Sequence, residues 1–535
     1  MLDRRTFLAV SGAGVTAAMV GRTATAATFD RNPFQLGSAS GDSTTDSVIL
    51  WTRLAPKPTA SDFGMDGQPD TIPIHWRIAE TYEDVQDDAT SLYSGDVDAH
   101  KKDAWSVHLE VKDAGGPLEP GKLYHYQFSL PDMSHKAWIG QTRTAPERSA
   151  DVSAEFAVIS CQSAATDRTG NNGPSHWHGY THLEENPVDF VVHLGDYIYR
   201  ESHENTVPAD DHCTELVDYR RRWGWYLERD NIQRTRRLYS MYAVPDDHEM
   251  YNNYQGANIK PRFGEGTDWQ LRAFNHGLIT FWENMPVRGP RPSALDGDDK
   301  VRFPLHRVGL GWGAHLDVTL MDCRQYRTDP DAADPTLLGA EQREAVVDAI
   351  DDSEATWTVL GTAGPLSVYY AKAGVPTNPV NWTAYPPERR TDHRRVGRSR
   401  RGRRKPGGVG RGRALSVRIE GGPARRRRQR RLRGHGVFRA ADVELYRDGL
   451  AVTSRRQPQR HRVDGSSRRF NDVPAAATVE RIFAVHGDRR DVPRELHRYD
   501  ADRVAVGDGR IRGTVQDHGG HARCETVPRR VSESS

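Results

Sequence analysis

A chain of 535 residues is too long for one small domain and is expected to fold as two or three. Its net charge of +1 singles out no charged partner, but the balance hides an asymmetry. Residues 1–380 carry 35 basic and 55 acidic side chains, whereas the remaining 155 carry 39 and 18, and all but one of those 39 are Arg.

Residues 1–27 combine a basic start, a modest apolar stretch and small residues suited to cleavage. The apolar run is too short and too rich in Gly and Ala for a membrane span, so a secretory signal is expected. Arg4-Arg5 followed by Thr6-Phe7-Leu8 predicts the twin-arginine export machinery as a partner, with a cut after Ala26 or Ala27; an ordinary Sec signal is the alternative. That route carries folded proteins, which suits a protein that takes up metal before export. The mature chain is then expected to be secreted, periplasmic or cell-wall associated. Beyond the signal no segment approaches the ~18–20 apolar residues of a spanning helix.

From 32 to 145 the chain reads as short alternating runs, "SVILWTRL", "IHWRIAE", "WSVHLEV" and "LYHYQFSL", separated by turn signals such as "GSASGD" and "PLEPGK". Short strands at this spacing predict a β-sandwich. No cluster of titratable groups is evident there, so a structural or substrate-screening module is expected.

The pattern changes near 154. "AEFAVISC" and "DFVVHLGD" are unbroken apolar runs of the kind buried on both faces inside layered α/β domains. Helix-like stretches within 213–240 and 339–350 follow, with further strands at "LDVTLMDCRQYR" and "TWTVLGT". An α/β domain over 154–385, with its polar residues on strand-end loops, is the expectation.

Three strand ends stand out. One finishes in Cys161, one in Gly195-Asp196 with Tyr199 three places on, and one in Asp246, Asp247, His248 and Glu249. Gly-Asp is common turn punctuation. The sharper reading is that parallel strands carry these groups to one rim, where open α/β sheets bind ligands. Carboxylate, imidazole, phenolate and thiolate are the donors a metal pair uses, and a phenolate at Tyr199 points to Fe(III). Such a pair clamps an in-line displacement at phosphorus. Cys161 alone could be a small core residue, and Asp246, Asp247 and Glu249 are not separable by sequence. Cys161, Cys213, Cys323 and Cys524 are widely spaced and lack a C-x-x-C, so a disulfide framework is not supported.

"ISCQS", "HLGDYIYR", "PDDHEMYNNY" and "LDVTLMDCRQYR" resemble the PhoD family of alkaline phosphatases and phosphodiesterases, within the metallophosphoesterase superfamily. "LGSASGDSTTDSVILWTRL" and "GQTRTAPERSADVSAEFAVISC" resemble that family's N-terminal β-sandwich and its join to the catalytic domain; the likeness covers roughly 30–375. The resemblance implies that Asp196 bridges two ions, that Cys161 and Tyr199 bind Fe(III), and that Asp247 serves the second cation, a Ca(II). It implies that His248 touches the phosphoryl oxygens. Asn252 and Asn253 resemble the family's paired asparagines or are turn residues, and Arg324 and Arg327 are expected to pair with carboxylates. The implied enzyme hydrolyses phosphate esters for phosphate scavenging. A monomer with no specific nucleic-acid or membrane partner is expected.

The likeness then fails. The family carries a late Gly-Asp-x-His motif that completes the metal shell, and none occurs after position 380. The region 390–535 has almost no apolar periodicity, and such a sequence cannot bury enough apolar surface to offset its ordering entropy. A disordered or non-native tail is expected. Three readings stay open. The first is a coding-frame slip near 385–395, leaving an inactive protein. The second is a basic tail binding nucleic acid or anionic surfaces. The third is a diverged domain drawing ligands from His486 and Asp488 or from His518 and His521.

Overall fold

The computed structural model describes residues 27–162, 178–201, 212–254, 267–292, 304–364 and 382–389. It also describes the backbone of short strands at Tyr370–Lys372, Val375–Pro376, Arg413–Val417, Glu444–Arg447, Leu450–Ala451 and Thr478–Ile482. The expected export signal, most of the Arg-rich region, and the pairs His486/Asp488 and His518/His521 lie outside the described residues. Among the described residues no helix is long and apolar enough to cross a membrane.

The N-terminal region contributes seven strands: β1 (Ser38–Gly41), β2 (Ile49–Arg53), β3 (Thr71–Ala79), β4 (Tyr93–His100), β5 (Ser106–Glu110), β6 (Leu123–Ser129) and β7 (Gly140–Arg143). Four of them form an antiparallel sheet in the order β4-β3-β6-β7. In β3 the period of two is plain, with Ile72, Ile74, Trp76 and Ile78 all buried. The short helix α1 (Val111–Ala114) follows β5.

The other three strands enter the main sheet of the molecule. With β8 (Phe156–Ser160), β9 (Phe190–His193) and β10 (Ser240–Ala243) they stand in the order β8-β9-β10-β1-β2-β5, and Thr478–Ile482 lies antiparallel against β8. Strands β8, β9, β10 and β1 are mutually parallel. The sandwich expected over 32–145 therefore shares one of its sheets with the layers that follow.

A second sheet contains β11 (Arg307–Trp312), β12 (Leu316–Met321), β13 (Trp357–Thr362) and the strand Arg413–Val417, which runs parallel to β13. The two sheets meet through Phe156, Val158, Phe190 and Val192 on one side and Leu316, Val318, Leu320 and Val359 on the other. The alternate residues Ala157, Ile159, Val191 and Met241 turn to the opposite core, beneath α2 (His178–Glu185), α3 (Leu216–Leu227), α4 (Asp230–Leu238) and α5 (Thr267–Asn284). Helix α6 (Gly339–Asp352) covers the outer face of the second sheet through Val346 and Ile350, which pack with Met321 and Leu360. Burial on both faces is why β8 and β9 read as continuous apolar runs.

Two expectations are corrected here. "GSASGD" is not a turn between strands: Ser38–Gly41 is β1, wholly buried between β2 and β10. Its small residues are required by crowding, since a Cβ on Gly41 would lie 2.4 Å from the Pro286 carbonyl oxygen. The N-terminal region also holds a titratable cluster. The His75 ring bridges Asp88 and Asp96, each at 2.8 Å, and the Arg77 Nε bonds Asp88 at 2.5 Å. Strands β3 and β4 and the connection between them bring these residues together from separate stretches of sequence, so no local motif announces them.

Candidate metal centre

Because β8, β9 and β10 are adjacent and parallel, their C-terminal ends share one edge, and cross-links between the strand ends hold the loops in place. The Cys161 N–H donates to the Gly195 carbonyl at 3.1 Å and the Gln162 N–H to the Asp196 carbonyl at 3.1 Å. The Glu249 carboxylate accepts the N–H groups of Tyr197 (2.5 Å) and Asp246 (3.0 Å), tying the second strand end to the third. Burial, with the Asp196 charge behind it, lifts the Glu249 carboxyl to about 8.

Gly195 and Asp196 both have positive φ, +96° and +55°. This is what turns the chain out of the sheet and aims the Asp196 side chain along its rim. Only glycine serves at 195, where a Cβ would stand 2.2 Å from the Asp246 nitrogen. A non-glycine residue held in the left-handed region, as Asp196 is, marks backbone constrained by its surroundings. Cys161 shares that feature with φ of +54°.

Asp196 is the hub. One carboxylate oxygen accepts the His248 N–H at 3.2 Å and the other accepts the Tyr199 hydroxyl at 3.2 Å. The Tyr199 ring stacks on His248 with centroids 4.2 Å apart. Asp247 accepts from Arg324 Nη2 at 3.0 Å and from the Asn253 N–H. Arg324 also grips Asp246, so the expected pairing of this arginine with carboxylates is observed. Asp196, Asp247 and His248 each offer a ligand atom within 4.8 Å of the others, the one such group among the described residues. Cys161 stands outside that trio but beside Asp196.

The electrostatics follow from crowding of like charges. Burial raises the Asp196 carboxyl, and the Asp247 charge adds to that rise. Burial also acts upward on Asp247, but the charges of Arg324 and His248 outweigh it and hold that carboxyl below the usual range. For His248, burial acts downward and is overcome by Asp196, Asp247 and Glu201, which bring the imidazole up to about 10. Burial and then the Asp196 charge push the Cys161 thiol and the Tyr199 phenol well up, so both hold their protons in the bare site. Asp196, Asp246, Asp247 and Glu201 face three side-chain cations, Arg200, Arg324 and His248. An oxygen-rich cluster with surplus carboxylates fits added positive charge, and binding a cation there would release the thiol and phenol protons.

The structure thus brings Asp196, Tyr199 and His248 into direct contact, with a ligand atom of Asp247 within 4.8 Å of Asp196 and His248, and Cys161 alongside. Two contributors went unread in the sequence: Gln162 donates to the Tyr197 carbonyl at 2.7 Å, and Glu201 accepts from His248 Nδ1 at 2.9 Å. Glu249, which the sequence left undivided from Asp246 and Asp247, links two loops. Asn252 and Asn253 act here through backbone N–H groups, on Glu201 and Asp247. Arg327 donates to the Cys323 carbonyl at 3.1 Å.

Residues 18–146 match the family model described as PhoD-like phosphatase, N-terminal domain, and residues 156–404 match that described as PhoD-like phosphatase. The match extends beyond the span of 30–375 over which the likeness was expected. Alkaline phosphatase D of Bacillus subtilis (strain 168) is 30% identical over 392 residues, 68% of this chain. The chain spans 61% of the length of that relative. A solved structure of PhoD superposes with a TM-score of 0.59 at 28% identity, covering 70% of this chain and 71% of that one. The chain belongs to the PhoD-like phosphatase family.

Proposed function

We propose that this chain is an exported, metal-dependent phosphoesterase that hydrolyses phosphomonoesters, phosphodiesters or both, with phosphate scavenging as its role. The observation that carries the reading is the convergence of Asp196, Asp247 and His248 at one sheet edge, with ligand atoms within 4.8 Å of one another. Cys161, Asp196 and Tyr199 would hold Fe(III), and Asp196 with Asp247 would hold Ca(II). Those ions supply Lewis acidity, lowering the pKa of a bound water and neutralising phosphoryl charge.

The residues divide the remaining work. Asp196, fixed through both carboxylate oxygens, sets the centre's position. Arg324 orients Asp247 by ion pairing. His248, held as an imidazolium by the carboxylates around it, donates to phosphoryl oxygens whose charge grows as water attacks in line. Export by the twin-arginine route and a monomeric state complete the reading.

The test is turnover of p-nitrophenyl phosphate and bis-p-nitrophenyl phosphate by the full chain, with metal analysis. Iron and calcium are expected, chelator should abolish turnover, and Asp196→Asn should reduce it to background. Turnover unchanged in Asp196→Asn sinks the assignment.

One observation favours a second reading, an inactive frame-shifted protein: the absence of Gly-Asp-x-His after position 380. Resequencing the coding DNA from about codon 370 decides it. A one-base change that restores the motif soon after β13 supports that reading, and a confirmed frame removes it.

A further inference from the structure

His248 is held from two sides, by Asp196 at its main chain and by Glu201 at its ring. Its main-chain N–H is fixed on Asp196 at 3.2 Å, while its ring Nδ1 lies 2.9 Å from Glu201 Oε2. The two side chains are about equally sheltered, with 19% and 20% of their surface exposed, so water competes little for the contact. Glu201 is itself fixed. Its other oxygen accepts from the Asn252 N–H at 3.4 Å and from Arg200 Nη1 at 3.5 Å, and its backbone bridges to His212. Arg200 in turn is anchored by its N–H to the His248 carbonyl at 3.1 Å and by its Nε to the Cys213 carbonyl at 2.7 Å. On the far face the His248 ring stacks against Tyr199. The imidazole is therefore clamped at its backbone, its face and Nδ1, which leaves Nε2 as the nitrogen available for chemistry.

We propose that Glu201 is the positioning residue for His248. It accepts the Nδ1 proton, fixes the ring's rotation, and thereby presents an Nε2–H to the phosphoryl group. This rests on the phosphoesterase reading for its consequence in turnover, though not for the contact itself. A carboxylate behind an active-site histidine fixes tautomer and orientation, and removing such a partner typically costs 10–100-fold in activity.

The experiment is a double-mutant cycle on the full chain with Glu201→Ala, Glu201→Gln, His248→Ala and the pair Glu201→Ala/His248→Ala. Glu201→Ala is expected to lower kcat about 10–100-fold with KM and metal content nearly unchanged. Glu201→Gln keeps an acceptor oxygen and should recover most of that loss. The pair should be no slower than His248→Ala alone, because Glu201 has nothing to act on once the ring is gone. Wild-type turnover in Glu201→Ala, losses that multiply in the pair, or metal content falling in step with kcat would each overturn the proposal. A second readout does not need turnover. In chelator-dialysed protein labelled with ¹⁵N-histidine, the His248 Nδ1–H resonance should be present in wild type and lost or strongly shifted in Glu201→Ala. An identical ring signal in both proteins also overturns the proposal. A wild type inactive on every ester tested sinks the phosphoesterase reading alone, and the ring signal still decides the role of Glu201.

Discussion

His193 lies three residues before Asp196, and its protonation is coupled to the geometry of the turn that carries that carboxylate. The ring is almost fully buried, and its Nδ1 accepts the Gly195 N–H at 3.2 Å. Burial, reinforced by the Arg236 charge, holds the imidazole at about 3. Protonation at Nδ1 would remove an acceptor and place a cation where Nε2 has no hydrogen-bond partner among the described residues. A folded pKa depressed below the unfolded value of about 6.5 means that the unfolded chain binds more protons between the two. The stabilisation is complete above pH 6.5 and is lost progressively as pH falls toward 3. Each pH unit in that window costs up to about 1.4 kcal/mol. His193→Asn, which keeps an acceptor for the Gly195 N–H, should flatten the fall in denaturant midpoint between pH 6.5 and 4 relative to wild type. Parallel curves would show that His193 does not set the acid limb.

At the scale of elements, β1 joins the N-terminal strands to the parallel strands that carry the site. It pairs with β2 on one side and runs parallel to β10 on the other. A methyl at Gly41 would meet the Pro286 and Met241 carbonyl oxygens at 2.4 and 2.5 Å, and both are backbone atoms that cannot swing aside. Gly41→Ala should therefore destabilise by about 1–3 kcal/mol, read as a lower urea midpoint at unchanged slope. An unchanged midpoint would mean that the sheet opens there at no cost. The same strand shows where sequence stops being legible. β8 and β9 announce themselves because both faces are apolar, whereas "SASG" is buried by being small, and small polar residues read as a turn. The site divides in the same way. Cys161, Asp196 and the run Asp246–Glu249 were readable as strand-end groups, and only the family resemblance set Asp247 apart from Asp246 and Glu249. Glu201 was not readable, because its meaning lies in a hydrogen bond to a ring 47 positions away, and no local period encodes it.

For the whole molecule, the shared sheet implies that the N-terminal region and the layers that carry the site do not fold apart. Their contacts are directional as well as apolar. The Trp51 indole donates to the Glu283 carbonyl at 2.9 Å, Arg53 donates to the Asn284 amide oxygen at 3.0 Å, and Arg307 ion-pairs with buried Asp42 at 2.6 Å. The largest apolar core draws on both regions, from Phe34 and Trp76 to Trp223 and Phe281. Separating the regions would expose the edge of β10, strip half of that core, and leave buried polar groups of α5 without partners. Unpaired edges and uncovered apolar faces of this size lead to aggregation. Residues 154–389 expressed alone should therefore be insoluble or show no cooperative thermal transition, even though they contain Cys161, Asp196, Tyr199, Glu201, Asp247 and His248. A cooperative melt from that fragment, with metal uptake equal to the full chain, would show that the site needs only its own layers. The opposite result would identify the N-terminal strands as part of the scaffold that brings the three strand ends together.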